Sequence, residues 1–147
     1  MISPRLLLIV SLLMAPALVG GQADKCAVCG MFVDKYPGWV GVIRFKSGAP
    51  AYADGPKDLF RCLQDLRKYA PGRGEVLSIQ VKDYYHLGEI DARKAFYVIG
   101  SDVLGPMGQE LVPFATDGDA QAFLQDHHGK RKLRFTEITP ELLKALE

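Results

Sequence analysis

Cysteine is scarce in this chain: there are 3 in 147 residues, too few for a disulfide scaffold. Charge of one sign is missing too. Lys and Arg number 18 against 17 Asp and Glu, a net charge of +1, with neither a basic stripe nor a basic tail. That balance argues against a nucleic acid or an anionic membrane surface as partner. No Ser/His/Asp set, nucleotide-phosphate glycine loop or spaced carboxylate pair emerges, so the common hydrolytic and nucleotide-dependent chemistries have no residues to run on. What remains is ordinary globular composition, 48% hydrophobic and 24% charged, in a length that fits one domain or two very small ones.

The totals mix two chemically different segments. Arg5 is the only charged residue before Asp24, and the apolar block Leu6–Leu18 after it is broken only by Ser11 and Pro16. A basic start, a short apolar stretch and small residues at a plausible cut describe a secretory signal peptide over residues 1–23, with Gly21 and Ala23 at the −3 and −1 positions. The block is short for a span, which needs about 20 apolar residues; an uncleaved anchor is the alternative. A lipid anchor would need a cysteine right after the small residues. Cys26 instead follows Asp24-Lys25, so the lipidation pattern is not met. Cleavage would leave a neutral chain that keeps all its cysteines, in an exported, oxidising compartment where idle thiols are at risk.

The remainder reads as α+β, in two duplicated ββαβ halves, 24–92 and 93–147, with a short C-terminal helix. Gly38–Phe45, rich in β-branched and aromatic residues, reads as a strand. Ala49–Ala53 reads as a second. Asp54-Gly55-Pro56 offers a helix cap and a first-turn proline, and Leu59, Cys62, Leu63 and Leu66 then form one apolar stripe. Pro71–Gly74 ends that helix before a strand at Val76–Val81. In the second half, Ala95–Gly100 and Leu111–Ala115 read as strands, the latter an edge because of Pro113. Asp117 caps a helix carrying Ala120, Phe123 and Leu124, and Lys132–Ile138 closes the half. Asp54-Gly55 and Phe60 recur as Asp117-Gly118 and Phe123 at a constant offset of 63. Thr139-Pro140 opens the terminal helix.

Chemistry concentrates in two sulfur-bearing segments. In Cys26-Ala-Val-Cys29-Gly30-Met31, two cysteines three apart can chelate one metal or form a reversible disulfide. Met31 adds a thioether, and thiolate with thioether favours Cu(I) over hard cations. Glycine at position 30 excludes the covalent haem motif. A zinc ribbon needs a second CxxC, and only Cys62 remains; the adjacent His127 and His128 lack the usual ligand spacing. A thioredoxin-type motif would lead into a helix, and no helical pattern follows Met31. A plain structural disulfide stays open. The second segment, Gly105-Pro106-Met107-Gly108, is a tight loop whose methionine joins no helical or strand stripe. Cys62 belongs to the apolar stripe of the first helix and reads as core. His86, His127 and His128 read as non-catalytic; the tyrosines and Trp39 read as core or half-buried strand residues.

These segments resemble the NosL family, accessory proteins of nitrous oxide reductase maturation. The matching features are Asp24-Lys-Cys-Ala-Val-Cys-Gly-Met31, Tyr36-Pro-Gly38, Asp54, Val81-Lys-Asp-Tyr84, Ile90-Asp-Ala92 and Ala95-Phe-Tyr-Val98. Further on come Gly100-Ser101, Gly105-Pro-Met-Gly108, Glu110-Leu-Val-Pro-Phe114, Ala122-Phe123, and Phe135 with Glu137-Ile-Thr139. The resemblance implies two ββαβ halves, distantly similar to organomercurial lyase and treble-clef zinc proteins. It implies an exported, often lipid-anchored chaperone that binds Cu(I) and passes it to the reductase's copper sites, working with a membrane ABC-type assembly complex. The donors it implies are Cys29, Met31 and Met107, with Cys26 as a further candidate. The usual lipoprotein cysteine is missing, which leaves membrane attachment open. Some relatives lie outside nitrous oxide pathways, so another copper enzyme is an alternative client.

The expectation is a periplasmic Cu(I) metallochaperone without catalytic turnover. Its rivals are a thiol–disulfide oxidoreductase working through Cys26 and Cys29, a copper-storage or delivery protein for another cuproenzyme, and a metal-free binding module with a Cys26–Cys29 disulfide.

Overall fold

The computed structural model describes residues 24–147; the expected signal segment, residues 1–23, lies outside them. After a 3₁₀ turn at Val33–Lys35, strands β1 (Gly41–Phe45) and β2 (Ala51–Ala53) lead into helix α1 (Pro56–Gln64), a short α2 (Leu66–Tyr69), and strands β3 (Val76–Lys82) and β4 (Glu89–Asp91). The chain continues through β5 (Phe96–Ile99), a small hairpin of β6 (Leu104–Gly105) and β7 (Gly108–Gln109), then β8 (Val112–Phe114). Helix α3 (Asp117–Asp126), β9 (Arg131–Arg134), a 3₁₀ turn at Phe135–Glu137 and α4 (Pro140–Ala145) complete it.

The architecture is α+β, with antiparallel sheets ordered β2-β1-β3-β4 and β8-β5-β9, and the β6–β7 hairpin apart from both. In each main sheet the first strand is central, and the strand after the helix lies at its side. Against a plain ββαβ unit, the first sheet adds β4 and the second half inserts the hairpin. Pro113 lies in β8, an edge strand, where a missing amide costs no ladder bond.

The larger apolar cluster draws on both parts of the chain, joining Ile43, Leu59 and Val81 to Tyr97, Leu111, Leu133 and Leu143. Cys62 is buried in it, as its place in the stripe indicated. The one polar atom Tyr97 brings into this core is satisfied, its hydroxyl donating to the Ala92 carbonyl at 2.6 Å. A smaller cluster, Val98, Val112, Phe114, Ala120 and Phe123, lies under α3, with Trp39 and Tyr84 against it. Among the described residues no helix is long and apolar enough to cross a membrane.

The structure corrects four local readings. The first helix does not run through Leu66: Asp65 interrupts it (φ −141°, ψ 69°), and its side chain accepts from the Lys68 amide at 3.1 Å to start α2. A short polar side chain that bonds nearby backbone competes with helix continuation. The cap of α3 is Thr116, whose hydroxyl accepts from the Asp119 amide at 3.1 Å; Asp117 is the first helical residue. The closing strand ends at Arg134, where Glu137 turns back to accept that residue's amide at 2.6 Å. Asp54 does not cap α1 either. Gly55 is the cap position and provides no side-chain bond, and the Asp54 carboxylate points elsewhere.

Candidate metal centre

The Cys26–Met31 segment folds into a closed turn. The Cys26 amide donates to the Met31 carbonyl at 2.8 Å, and the Gly30 amide to the Cys26 carbonyl at 3.0 Å. Gly30 takes φ +77°, in the left-handed region that glycine enters without strain. The turn is stitched to β2 through a bridge between Cys26 and Tyr52 and an Ala27 amide bond to the Tyr52 carbonyl at 2.8 Å. It therefore lies beside the point where β2 ends and α1 begins.

That junction carries two carboxylates. Asp54 follows β2 directly and is 0% exposed; Asp58 stands in the first turn of α1 at 1%. The Cys29 thiol donates to Asp54 Oδ2 at 3.4 Å, the Cys26 thiol donates to Asp58 Oδ2 at 3.3 Å, and the Cys29 amide approaches Cys26 Sγ at 3.5 Å. One donor atom from each of the four side chains lies within 4.8 Å of all the others. Asp58 Oδ1 also accepts from Arg61 at 2.8 Å, and Arg61 continues to Glu147 at 2.7 Å. Asp54 Oδ1 is different: it is buried and, among the described residues, has no hydrogen-bond partner. Leaving such an atom bare costs about 1–3 kcal/mol, a cost that a bound cation or its ligand would remove.

Burial pushes both thiols up from their ordinary range, Cys29 further than Cys26, and a second thiol and Asp58 beside Cys29 add to its rise. The metal-free cysteines are therefore neutral thiols, and a metal entering as a thiolate complex displaces protons. Cys62, in the core, is pushed up to about 11 by the same desolvation and takes no part in the four-residue group.

The expected donors are placed as follows. Cys26 and Cys29 come together, Cys26 buried and Cys29 half-buried. Met31 is half-buried in the same turn. Met107 is 41% exposed at the tip of the β6–β7 hairpin and lines a cavity of ≈ 260 Å³ with Lys57, Arg61 and Glu147. No histidine enters the group. His86 and His127 bond Asp83 and Asp102 at 2.9 Å each, and His127 stacks on Phe123 with ring centroids 4.3 Å apart.

Sequence reasoning missed the two aspartates. Asp54 read as a cap and Asp58 read as nothing. The signal was their position: the two flank the start of α1, one before its glycine cap and one in its first turn, and both carboxylates reach the CxxC turn.

Fold and site together define a small α+β protein whose one cysteine pair is paired with carboxylates in a compact, cation-ready group. The family model of NosL matches residues 19–143, and the chain belongs to the NosL family. A similar curated protein is the copper-binding lipoprotein NosL of Stutzerimonas stutzeri, 38% identical over 130 residues, 84% of this chain; the chain spans 66% of that relative's length. Of solved structures, the crystal structure of the copper chaperone NosL from Shewanella denitrificans superposes with a TM-score of 0.67 at 31% identity, over 80% of this chain and 91% of that one. The solution structure of apo-NosL from Achromobacter cycloclastes matches at 29% identity over 70% of this chain and 87% of that one, with a TM-score of 0.49.

Proposed function

We propose that this protein is an exported copper chaperone: it carries Cu(I) at the Cys26–Cys29 turn and hands it on by ligand exchange. The observation that carries the reading is the pair of thiols held 3.3 and 3.4 Å from two buried carboxylates, one of which keeps an unbonded oxygen. Two relatives are named as a copper-binding lipoprotein and a copper chaperone, which supports the same cargo. Soft sulfur donors select Cu(I). Asp54 and Asp58 fix the orientation of the thiols, as outer partners do for metal ligands generally. Met31, in the same turn, and Met107, on the hairpin, are the thioethers that complete the donor set. Cys29, half-buried, leaves a side open to a partner's donor, so that copper passes without release into solvent.

Nitrous oxide reductase, or another copper enzyme, is the client in this reading, and a membrane ABC-type assembly complex is the partner; the location is the periplasm. The raised thiols speak against the oxidoreductase alternative. A catalytic cysteine of that class is a thiolate of lowered pKa in electropositive surroundings, whereas these thiols face carboxylates. Anaerobic titration with Cu(I) against a chromophoric chelator tests the proposal. One tightly bound equivalent is expected, weakened by Met31→Leu and by Met107→Leu; a site that survives both unchanged removes the methionines from the donor set.

A further inference from the structure

The hairpin that carries Met107 is too small to hold itself. Its strands are two residues each and, among the described residues, pair only with each other, and isolated hairpins of this kind are marginal in water. Apolar packing gives it little hold: Leu104 and Met107 are both exposed, and Pro106 at the tip is half-buried.

Its anchor is Lys57. This residue of α1 is 2% exposed, and its ammonium donates to the carbonyls of Met107 at 2.8 Å, Gln109 at 2.7 Å and Leu146 at 3.3 Å. An ammonium has three protons, and each has found a carbonyl. The tie is reciprocal. Glu110, the residue after β7, accepts at one carboxylate oxygen from the Lys57 amide at 2.6 Å and the Leu111 amide at 3.0 Å. It thereby supplies the first-turn acceptor that the glycine cap of α1 cannot. The approach is close enough to demand glycine: a Cβ at Gly55 would lie 2.6 Å from Glu110 Oε2, and one at Gly105 would lie 2.8 Å from Glu110 Cγ.

The turn of helix that Lys57 occupies also carries Asp58 and follows Asp54, the partners of Cys26 and Cys29. From this the geometry points to Lys57 as a positioning residue for copper: with Glu110 it clamps the Met107 hairpin to the helix start that orients the cysteines. The thioether is thus presented before the metal arrives. The inference rests on the reading of Met107 as a donor. A hairpin free in the metal-free protein would have to order on binding, and ordering a single residue lowers affinity about tenfold.

The test uses the full chain, Lys57→Leu, Met107→Leu and the double variant, with Cu(I) alone as the probe under chelator competition; leucine removes the ammonium without adding a thioether. Amide exchange of the metal-free proteins runs alongside. In the wild type, the amides that pair β6 with β7 should be protected. In Lys57→Leu they should exchange freely while β1 and β3 stay protected, Cu(I) affinity should fall tenfold or more, and the double variant should bind no worse than Met107→Leu alone. That non-additivity is what a general loss of structure would not produce. Wild-type affinity in Lys57→Leu beside a weakened Met107→Leu overturns the clamp, as do losses that add. If Met107→Leu binds as wild type, the methionine reading fails and the inference with it, an outcome distinct because hairpin protection is read without copper. Should Lys57→Leu fail to fold, the wild-type exchange still decides: β6–β7 amides exchanging like an unstructured peptide refute the clamp.

Discussion

The starts of α1 and α3 follow strands of similar kind, β2 and β8, and an aspartate-glycine pair sits at each, yet they are built in opposite ways. At α3 the cap is local: Thr116 bonds the Asp119 amide three residues on, Asp117 is exposed, and the helix covers the purely apolar group of Val98, Val112, Phe114 and Phe123. At α1 the cap comes from Glu110, 53 residues away, and Asp54, Lys57, Asp58 and Glu110 are each 2% exposed or less. One start is assembled for stability. The other gathers buried charge around two thiols and keeps one oxygen of Asp54 unbonded. Charge concentrated at such expense of desolvation marks where this fold gives up stability for binding.

The contrast can be broken from either side. The largest effect expected is at α3: Phe123→Ala should destabilise the protein by about 3–5 kcal/mol, as large-to-small changes in a packed core do, while Cu(I) affinity of the folded fraction stays unchanged. Denaturant unfolding with and without Cu(I) checks both statements, and an equal loss of affinity would mean that the two starts are not separable.

Next is the pH response of Glu110. Burial pushes its carboxyl up from 4.5 to about 7, against the lowering by the Leu111 and Lys57 amides. The folded state therefore binds the proton more tightly than the unfolded chain. Stability from this group is present below about pH 4.5 and falls as pH rises to about 7, by roughly 3 kcal/mol if the full shift is expressed. Glu110→Gln keeps an acceptor for both amides and should flatten that part of the stability–pH curve. Asp83 slopes the other way. Burial alone would push its carboxyl up, but the amides of His86 and Ala115 and the His86 ring hold it below its usual range, so its contribution is lost as the solution is acidified.

A smaller effect is expected at Asp54. Asp54→Asn should weaken Cu(I) binding about tenfold, near 1.4 kcal/mol, while changing the melting temperature little, because it exchanges one unpartnered buried polar group, Oδ1, for another, an amide nitrogen. Competition titration reads the first and calorimetry the second. Smallest is the local cap: Thr116→Ala should cost about 1 kcal/mol and leave copper binding alone.

The same contrast explains what the sequence made legible. The frame around α3 and the terminal helix could be read because their signals are local: periodic apolar residues, Pro113 at an edge, and Thr139 before Pro140, where the threonine indeed accepts from the Leu142 amide at 3.2 Å. The cysteine pair was legible from its spacing. Asp54 was visible but misassigned, since a carboxylate before a helix proline looks like a cap until the residue that takes the cap's role, Glu110, is seen arriving from another element. Lys57 and Glu110 could not be paired by any local rule: nothing in a lysine's neighbours announces that it will be buried against three carbonyls. The α1–α2 break at Asp65 was hidden for a different reason, because the apolar stripe runs on across it.

In the proposed function, sulfur at the Cys26–Cys29 turn holds the copper. X-ray absorption of the protein loaded anaerobically with one equivalent of Cu(I) tests this most directly. A first shell dominated by sulfur, losing a sulfur scatterer in Cys29→Ser, is the predicted result. A first shell of nitrogen or oxygen alone, or one unchanged by Cys29→Ser, would contradict it.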